Sequence, residues 1–318
     1  MTQVITNDVS AIEPELWSSM VQVPLYKSLV ALEVANMKLS DELKGADTIH
    51  VPRFGDLTAA NYTPGTTISA TAQDWAFDNL VVSTRKHVTF YVDDTKDRLT
   101  TNLDVARELA TEAAYRLKDA IDTDVFKNIT GSDGFLAADT ADLGTGGSAN
   151  RPVSAGSATI INLFANARKI LRERDVEEVG DWCTVITPKI ASFLETKAAS
   201  VGFSVADATL RNGYAGDFMG FQVYISRNLP SGKCSAIAPG NRGNGVSGAA
   251  VSATTCKSIY FGRKGTIDVV LMRAPALEVR KKDDMIGSNY ITWTVYGSSL
   301  FTKNASRGIN VPVQSGFY

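Results

Sequence analysis

Histidine and cysteine are scarce in this chain: its 318 residues hold two histidines and three cysteines. Cys183, Cys234 and Cys256 are odd in number and show no CxxC spacing, so neither a disulfide scaffold nor a zinc site is supported. Nucleophilic catalysis of the triad type needs a base, most often histidine, and only His50 and His87 are available. Both stand at alternating positions in strand-like segments with no GxSxG elbow nearby, and both read as polar strand residues. An excess of one charge is also missing. Against 32 Lys and Arg stand 34 Asp and Glu, a net charge of −2, which excludes a surface dedicated to neutralising phosphates but leaves local basic patches open. No run approaches the ~18 apolar residues of a membrane span. The opening MTQVITNDVSAIEPELWSSM has neither the basic nor the apolar region of a secretory signal. The expectation is an intracellular product with no membrane partner.

Four other places in the sequence could carry chemistry. Gly240-Asn241-Arg242-Gly243-Asn244-Gly245 superficially resembles a phosphate loop but lacks the Lys-Ser/Thr of a Walker motif, and reads as a surface loop. Asp93 and Asp94 with Asp97 read as the polar end of a strand. Asp119, Asp122 and Asp124 read as part of a solvated helix face, and neither carboxylate group matches an EF-hand. Cys183 reads as a small buried hydrophobe, while Cys234 and Cys256 flank the Gly-rich loop and are expected to be free thiols in a reducing cytoplasm. We therefore expect no enzyme: no catalytic residue, no cofactor-binding residue and no metal ligand.

What is present is a large apolar content, 44% of residues, enough for a sizeable core and more than one structural unit. Residues 10 to 44 space Leu16, Trp17, Met20, Leu25, Leu29, Leu32, Met37 and Leu39 at three to four, interrupted by Pro14 and Pro24, and read as two short helices or one broken arm. Apolar side chains in such an arm must be covered by its own body or by a neighbouring subunit. Thr48 to Pro52 alternates as a strand, a Thr-rich stretch punctuated by Gly55, Pro64 and Gly65 follows, and Trp75 to Asp93 resumes strand character. The segment reads as one long two-stranded excursion, which needs support from another surface because such ribbons are marginal in water.

Asn102 is placed to cap a helix from Leu103 to about Ile129, free of Gly and Pro, with an apolar stripe through Leu109, Ala113, Leu117, Ile121 and Val125. At that length it spans roughly 40 Å. A Gly/Ala/Ser-rich loop over 131–157 separates it from a second amphipathic helix, Thr159 to Glu173. Trp182 to Ile186 reads as an apolar strand, Thr187-Pro188 as the start of a helix, and Phe221 to Ser226 as another strand. Pro239 to Ser252 reads as a loop. The strands of Ile267 to Phe301 surround a charged turn, Lys281-Lys282-Asp283-Asp284, and complete an α+β body to which both ends of the chain contribute.

This order of segments is the informative feature, together with Ile12-Glu13-Pro14-Glu15-Leu16-Trp17, Asp47-Thr48-Ile49-His50-Val51-Pro52-Arg53-Phe54-Gly55-Asp56, Tyr91-Val92-Asp93-Asp94 and Gly220-Phe221-Gln222-Val223-Tyr224-Ile225-Ser226-Arg227-Asn228-Leu229-Pro230. Over nearly its whole length the chain resembles the major capsid proteins of tailed bacteriophages with the Hong Kong 97-type fold. On that resemblance, residues 1–45 are an N-terminal arm and 46–94 an extended loop built as a β-hairpin. Residues 95–180 and 276–318 are a peripheral domain with a spine helix at 103–129, and 181–275 an axial domain.

The resemblance implies a shell protein that assembles with itself into hexamers and pentamers of an icosahedral capsid. Arm and loop would lie over neighbouring subunits, and double-stranded DNA would be touched non-specifically on the inner face. It also implies portal, scaffolding and cement or decoration proteins as partners, assembly in the host bacterial cytoplasm, and a place in the virion. Some members of the family cross-link a Lys of the extended loop to a neighbour's Asn. No Lys occurs between Lys44 and Lys86, so non-covalent assembly is expected. The arm begins without a long charged prefix, so a separate scaffolding protein, or none, is expected. Two alternatives remain: an encapsulin-like cargo compartment with Trp17 in cargo docking, and a cytoplasmic α/β enzyme with a site between Cys183 and Pro230.

Overall fold

A computed structural model describes residues 29–43, 46–55, 57, 59, 61–67, 75–93, 105–130, 160–174, 176, 180–201, 214–230, 257–281 and 286–313. Among these, ten strands form three sheets. The five-stranded sheet is built on β4 (Trp182–Ile186), in the order β10 (Gly308–Val313), β7 (Lys257–Arg263), β4, β6 (Phe221–Ile225), β5 (Tyr214–Phe218). Every residue of β4 is buried, which is why its sequence is apolar on both faces instead of alternating, save for Thr184, whose hydroxyl donates to Tyr260 O at 2.7 Å. The chain enters β6 from β5 through Met219 and Gly220, both at positive φ (51° and 84°), the geometry of a tight turn matched to strand twist.

Two helices flank this sheet in sequence. Helix α3 (Ile160–Glu173) buries Ile160, Leu163, Phe164, Ala167, Ile170 and Leu171, the same stripe its 3.6-residue period marks. Phe164 meets Phe218, Phe221 and Phe261 edge to face at centroid distances of 5.1, 6.1 and 5.1 Å, joining the helix to three strands. Helix α4 (Pro188–Val201) starts as its Thr-Pro sequence dictates. Proline sits at the first position, and Ala191 N–H donates to Thr187 O at 3.0 Å.

The second sheet is antiparallel, ordered β3 (Thr84–Asp93), β9 (Gly287–Ser299), β8 (Asp268–Lys281). Helix α2 (Val105–Lys127) packs against all three of its strands, with Lys86 of β3 and Tyr296 of β9 both reaching Asp124. Strand β8 is an edge, and it carries Pro275 and two register irregularities between Leu271 and Ala276, where a missing N–H does least harm. The third sheet is the ribbon of β1 (Thr48–Phe54) and β2 (Trp75–Val81). Between 29 and 43 the chain makes one turn of helix, α1 (Ala31–Val34), and a 3-10 turn, Lys38–Asp41.

Three expectations change. The long excursion is shorter than its sequence suggests: only β1 and β2 pair as a ribbon, while the strongly alternating His87 to Asp93 belongs to β3 and pairs with β9. The two strands separate at Val82, which is buried and donates its N–H to Asp47 O at 2.7 Å. The expected limit at 275/276 falls inside the unbroken strand β8, and Gly308–Val313 joins the five-stranded sheet next to β7 instead of staying with residues 276–307. The helix expected over 103–129 is observed over Val105–Lys127. Expectations for residues 10–28, Asp94, Asp97, 131–157, 239–252, Cys234, Cys256 and the turn at Lys282 lie outside the described residues.

Candidate assembly surface

Period-two alternation gives the ribbon two unlike faces. Ile49, Val51 and Arg53 pair with Leu80, Asp78 and Ala76 on the side toward the body, while His50, Pro52 and Phe54 pair with Asn79, Phe77 and Trp75 on the other. On the body side Leu80 is fully buried against Val82, Val270 and Val295. Asp78 accepts Thr302 N–H at 3.0 Å and Thr302 Oγ1 at 2.9 Å, tying the ribbon to the 3-10 helix Thr302–Arg307.

The far side is apolar and uncovered. Phe54, Trp75 and Phe77 are 52%, 75% and 63% exposed. They are organised nonetheless: Phe54 meets Trp75 edge to face at 4.9 Å, and His50 meets Phe77 in the same way at 5.4 Å. His50 Nδ1 lies 2.6 Å from the Asn79 side-chain oxygen, a geometry in which the ring nitrogen donates. Three large aromatics on one side of a two-stranded ribbon form the kind of exposed patch that marks a protein contact surface. Sequence reasoning identified the ribbon but not this face. The signal was available in Pro52 and Phe54 opposite Trp75 and Phe77.

A second feature lies on the three-stranded sheet, on the face away from α2. Arg85, His87, Met272 and Trp293 line a shallow groove there. The Arg273 guanidinium lies over the Trp293 ring, 3.7 Å from its centre. Glu278 accepts Trp293 Nε1 at 3.1 Å, Arg280 at 3.1 Å and Arg273 at 2.6 Å, and these contacts hold its carboxyl below the ordinary range.

The three aspartates of α2 do not form a solvated face. Asp122 is 2% exposed; its Oδ1 accepts the N–H groups of Val30 (3.0 Å) and Ala31 (2.8 Å), and its Oδ2 accepts Asn228 Nδ2 at 2.9 Å. Asp119 shares that Asn228 amide at 2.7 Å. Burial pushes the Asp122 carboxyl up despite these bonds. Asp124 points elsewhere, to Lys127 (2.6 Å), Lys86 and Tyr296 (2.5 Å). Burial alone would raise its pKa; these three partners outweigh burial and hold it at about 2. The carboxylates are thus structural ties. Among the described residues, no group of three or more His, Cys, Asp or Glu is arranged to hold a metal ion.

The remaining candidates are dispersed. His50 is on the ribbon and His87 borders the groove, on different sheets. Cys183 is fully buried in β4, and burial pushes its thiol up to about 12, so it packs as a hydrophobe and does not act as a nucleophile.

Comparison with known proteins separates sequence from fold. No protein-family model matches the chain, and no curated protein matches it. Solved structures match over nearly its full length. One from Mycobacterium phage Che8 is 19% identical with a TM-score of 0.70, covering 94% of this chain and 96% of that one. The capsid structure of cyanophage P-SCSP1u is 14% identical with a TM-score of 0.67, covering 96% and 94%. The mature capsid of bacteriophage PhiM1 is 15% identical with a TM-score of 0.64, covering 95% and 92%. At such identities the likeness is one of fold, and the fold of this chain is that of phage capsid structures.

Proposed function

We propose that the chain is the major capsid protein of a tailed bacteriophage, with a Hong Kong 97-type fold, assembling into hexamers and pentamers of an icosahedral shell around double-stranded DNA. The observation that carries the reading is the uncovered aromatic face of the ribbon, on a fold shared with phage capsids over nearly the whole chain. A ribbon of two seven-residue strands is marginal by itself. Laid over a neighbouring copy it would bury Phe54, Trp75 and Phe77, and each ring fully covered contributes about 1.5–3 kcal/mol.

On this reading residues 1–45 are the arm, the ribbon with the chain joining its strands is the extended loop, α2 is the spine of a peripheral domain built on the three-stranded sheet, and the five-stranded sheet is the axial domain. Work is done by interfaces, so a chain poor in histidine and without a triad is no obstacle. The protein would reside in the virion, assembled in the bacterial cytoplasm with portal and scaffolding partners and cement or decoration proteins. The absence of Lys between Lys44 and Lys86 makes the assembly non-covalent.

Electron microscopy of the purified protein tests the reading. Closed shells support it, and a discrete monomer or dimer under all conditions overturns it. Particles from lysed cells distinguish a virion from a cargo compartment: the virion carries double-stranded DNA, whereas a compartment carries protein cargo and no genome. A ladder of covalent multimers on denaturing gels would refute the non-covalent part alone.

A further inference from the structure

Residues Val30 to Asn36 cross the body as a strap, and each end is fastened by a buried carboxylate from a different element. At the start, Asp122 of α2 accepts the Val30 and Ala31 N–H groups. At the end, Asp268, the first residue of β8, accepts Asn36 Nδ2 at 2.6 Å and, on its other oxygen, Asn304 Nδ2 at 3.3 Å. Both aspartates are 2% exposed. Between them the strap buries Val30, Ala31 and Val34 in the main core, and its backbone bonds to Ile267 O, Gly265 N and Val269 N at 2.7–2.9 Å.

The donors at both ends are neutral: peptide N–H groups and side-chain amides. The charged groups of the surrounding elements are engaged elsewhere or point outward. Asp119, on the same helix as Asp122, shares its Asn228. Lys257 of β7 donates to Leu229 O (2.6 Å), Lys264 to Tyr224 Oη (3.5 Å), and Arg307 to Asn304 Oδ1 (3.1 Å). Glu33 and Lys38 of the strap region are exposed. An ionised carboxylate held out of water by neutral donors alone is under constant pressure to take up a proton. Asp124 is the internal contrast: one helical face away, it is paired with two lysines.

We propose that docking of the 30–36 strap is coupled to proton uptake, so that the strap is held more tightly in mild acid than at neutral pH and loosens as the pH rises. The direction follows from which state prefers the proton. With the strap docked, burial pushes the Asp268 carboxyl up to about 6, against the pull of Asn36 and Asn304. With the strap lifted, water reaches the carboxyl and it returns toward its ordinary value of 3.8. Protonation therefore favours the docked strap across the window between those values, and Asp122, raised for the same reason, works in the same sense. The strap continues from the N-terminal residues, so its docking is a point at which pH sets how firmly the start of the chain is tied to the body.

Hydrogen exchange of full-length protein, followed by mass spectrometry of peptides covering 29–37 and corrected for intrinsic exchange rates, tests this between pH 5 and pH 7.5. Strap opening at pH 7.5 should exceed that at pH 5 by about tenfold, the factor a carboxyl shifted from 3.8 to about 6 supplies. In Asp268→Asn most of this difference should vanish, while in Asp124→Asn it should persist. A strap whose protection is independent of pH, or increases with pH, overturns the proposal. The wild-type profile decides this even where a variant does not fold, and it is read on the subunit whether or not shells form.

Discussion

Gly297 of β9 faces the carbonyl oxygen of Val81 so closely that a Cβ there would lie 2.4 Å from it. This is where the root of the ribbon crosses the three-stranded sheet, and only a residue without a side chain allows the approach. Gly297→Ala should lower stability by about 2 kcal/mol through overpacking. A thermal unfolding midpoint equal to that of the parent protein would show that the crossing is loose.

The Lys86–Asp124 contact joins β3 to α2 and sets an acid limit. Asp124 has a folded-state pKa of about 2, below its ordinary 3.8, so its contribution is present above pH 3.8 and is lost as the pH falls toward 2. Asp124→Asn should destabilise the protein by about 1 kcal/mol at pH 7, a value discounted for the partly exposed lysines, and by clearly less near pH 2, where the folded-state carboxyl is half protonated. Chemical denaturation at the two pH values measures the difference. An equal loss at both would mean that shape, not charge, matters at this position.

Removal of the ribbon aromatics should separate folding from assembly. Phe54→Ser, Trp75→Ser and Phe77→Ser together leave the body-facing side of the ribbon intact, so the subunit's stability should change by no more than about 1 kcal/mol. Shell formation, followed by sedimentation, should fail. Normal shells from the triple variant would remove the aromatic face from the assembly contact.

Cys183 should be inert in the native protein. Its thiol is fully buried and raised to about 12, so a thiol reagent at pH 8 followed by peptide mapping should find it unmodified until denaturant is added. Rapid native labelling would contradict the placement of β4 at the centre of its sheet.

Helices α2 and α3 were legible as sequence because a 3.6-residue stripe is a local property: Leu117, Ile121 and Val125 are buried whatever lies opposite them. The strand β4 was legible for a similar reason, since a run apolar on both faces has no solvent side to offer. The start of α4 was written in Thr187-Pro188. These elements and their order were determined by the sequence by itself.

The partners were decided by the tertiary structure alone. Alternation shows that Trp75 to Asp93 is extended but not that its first half pairs with β1 and its second with β9, because period two is the same for either pairing. The carboxylates of α2 show the same limit. Residues two apart on a helix stand about 160° apart, so Asp122 and Asp124 face different neighbours, one the neutral strap and the other two lysines. Burial and pairing give the two side chains opposite protonation tendencies. Nothing in Asp119-Ala120-Ile121-Asp122-Thr123-Asp124 distinguishes them, because what separates them is supplied mainly by residues distant in the chain: Val30, Ala31 and Asn228 for the one, Lys86 and Tyr296 for the other.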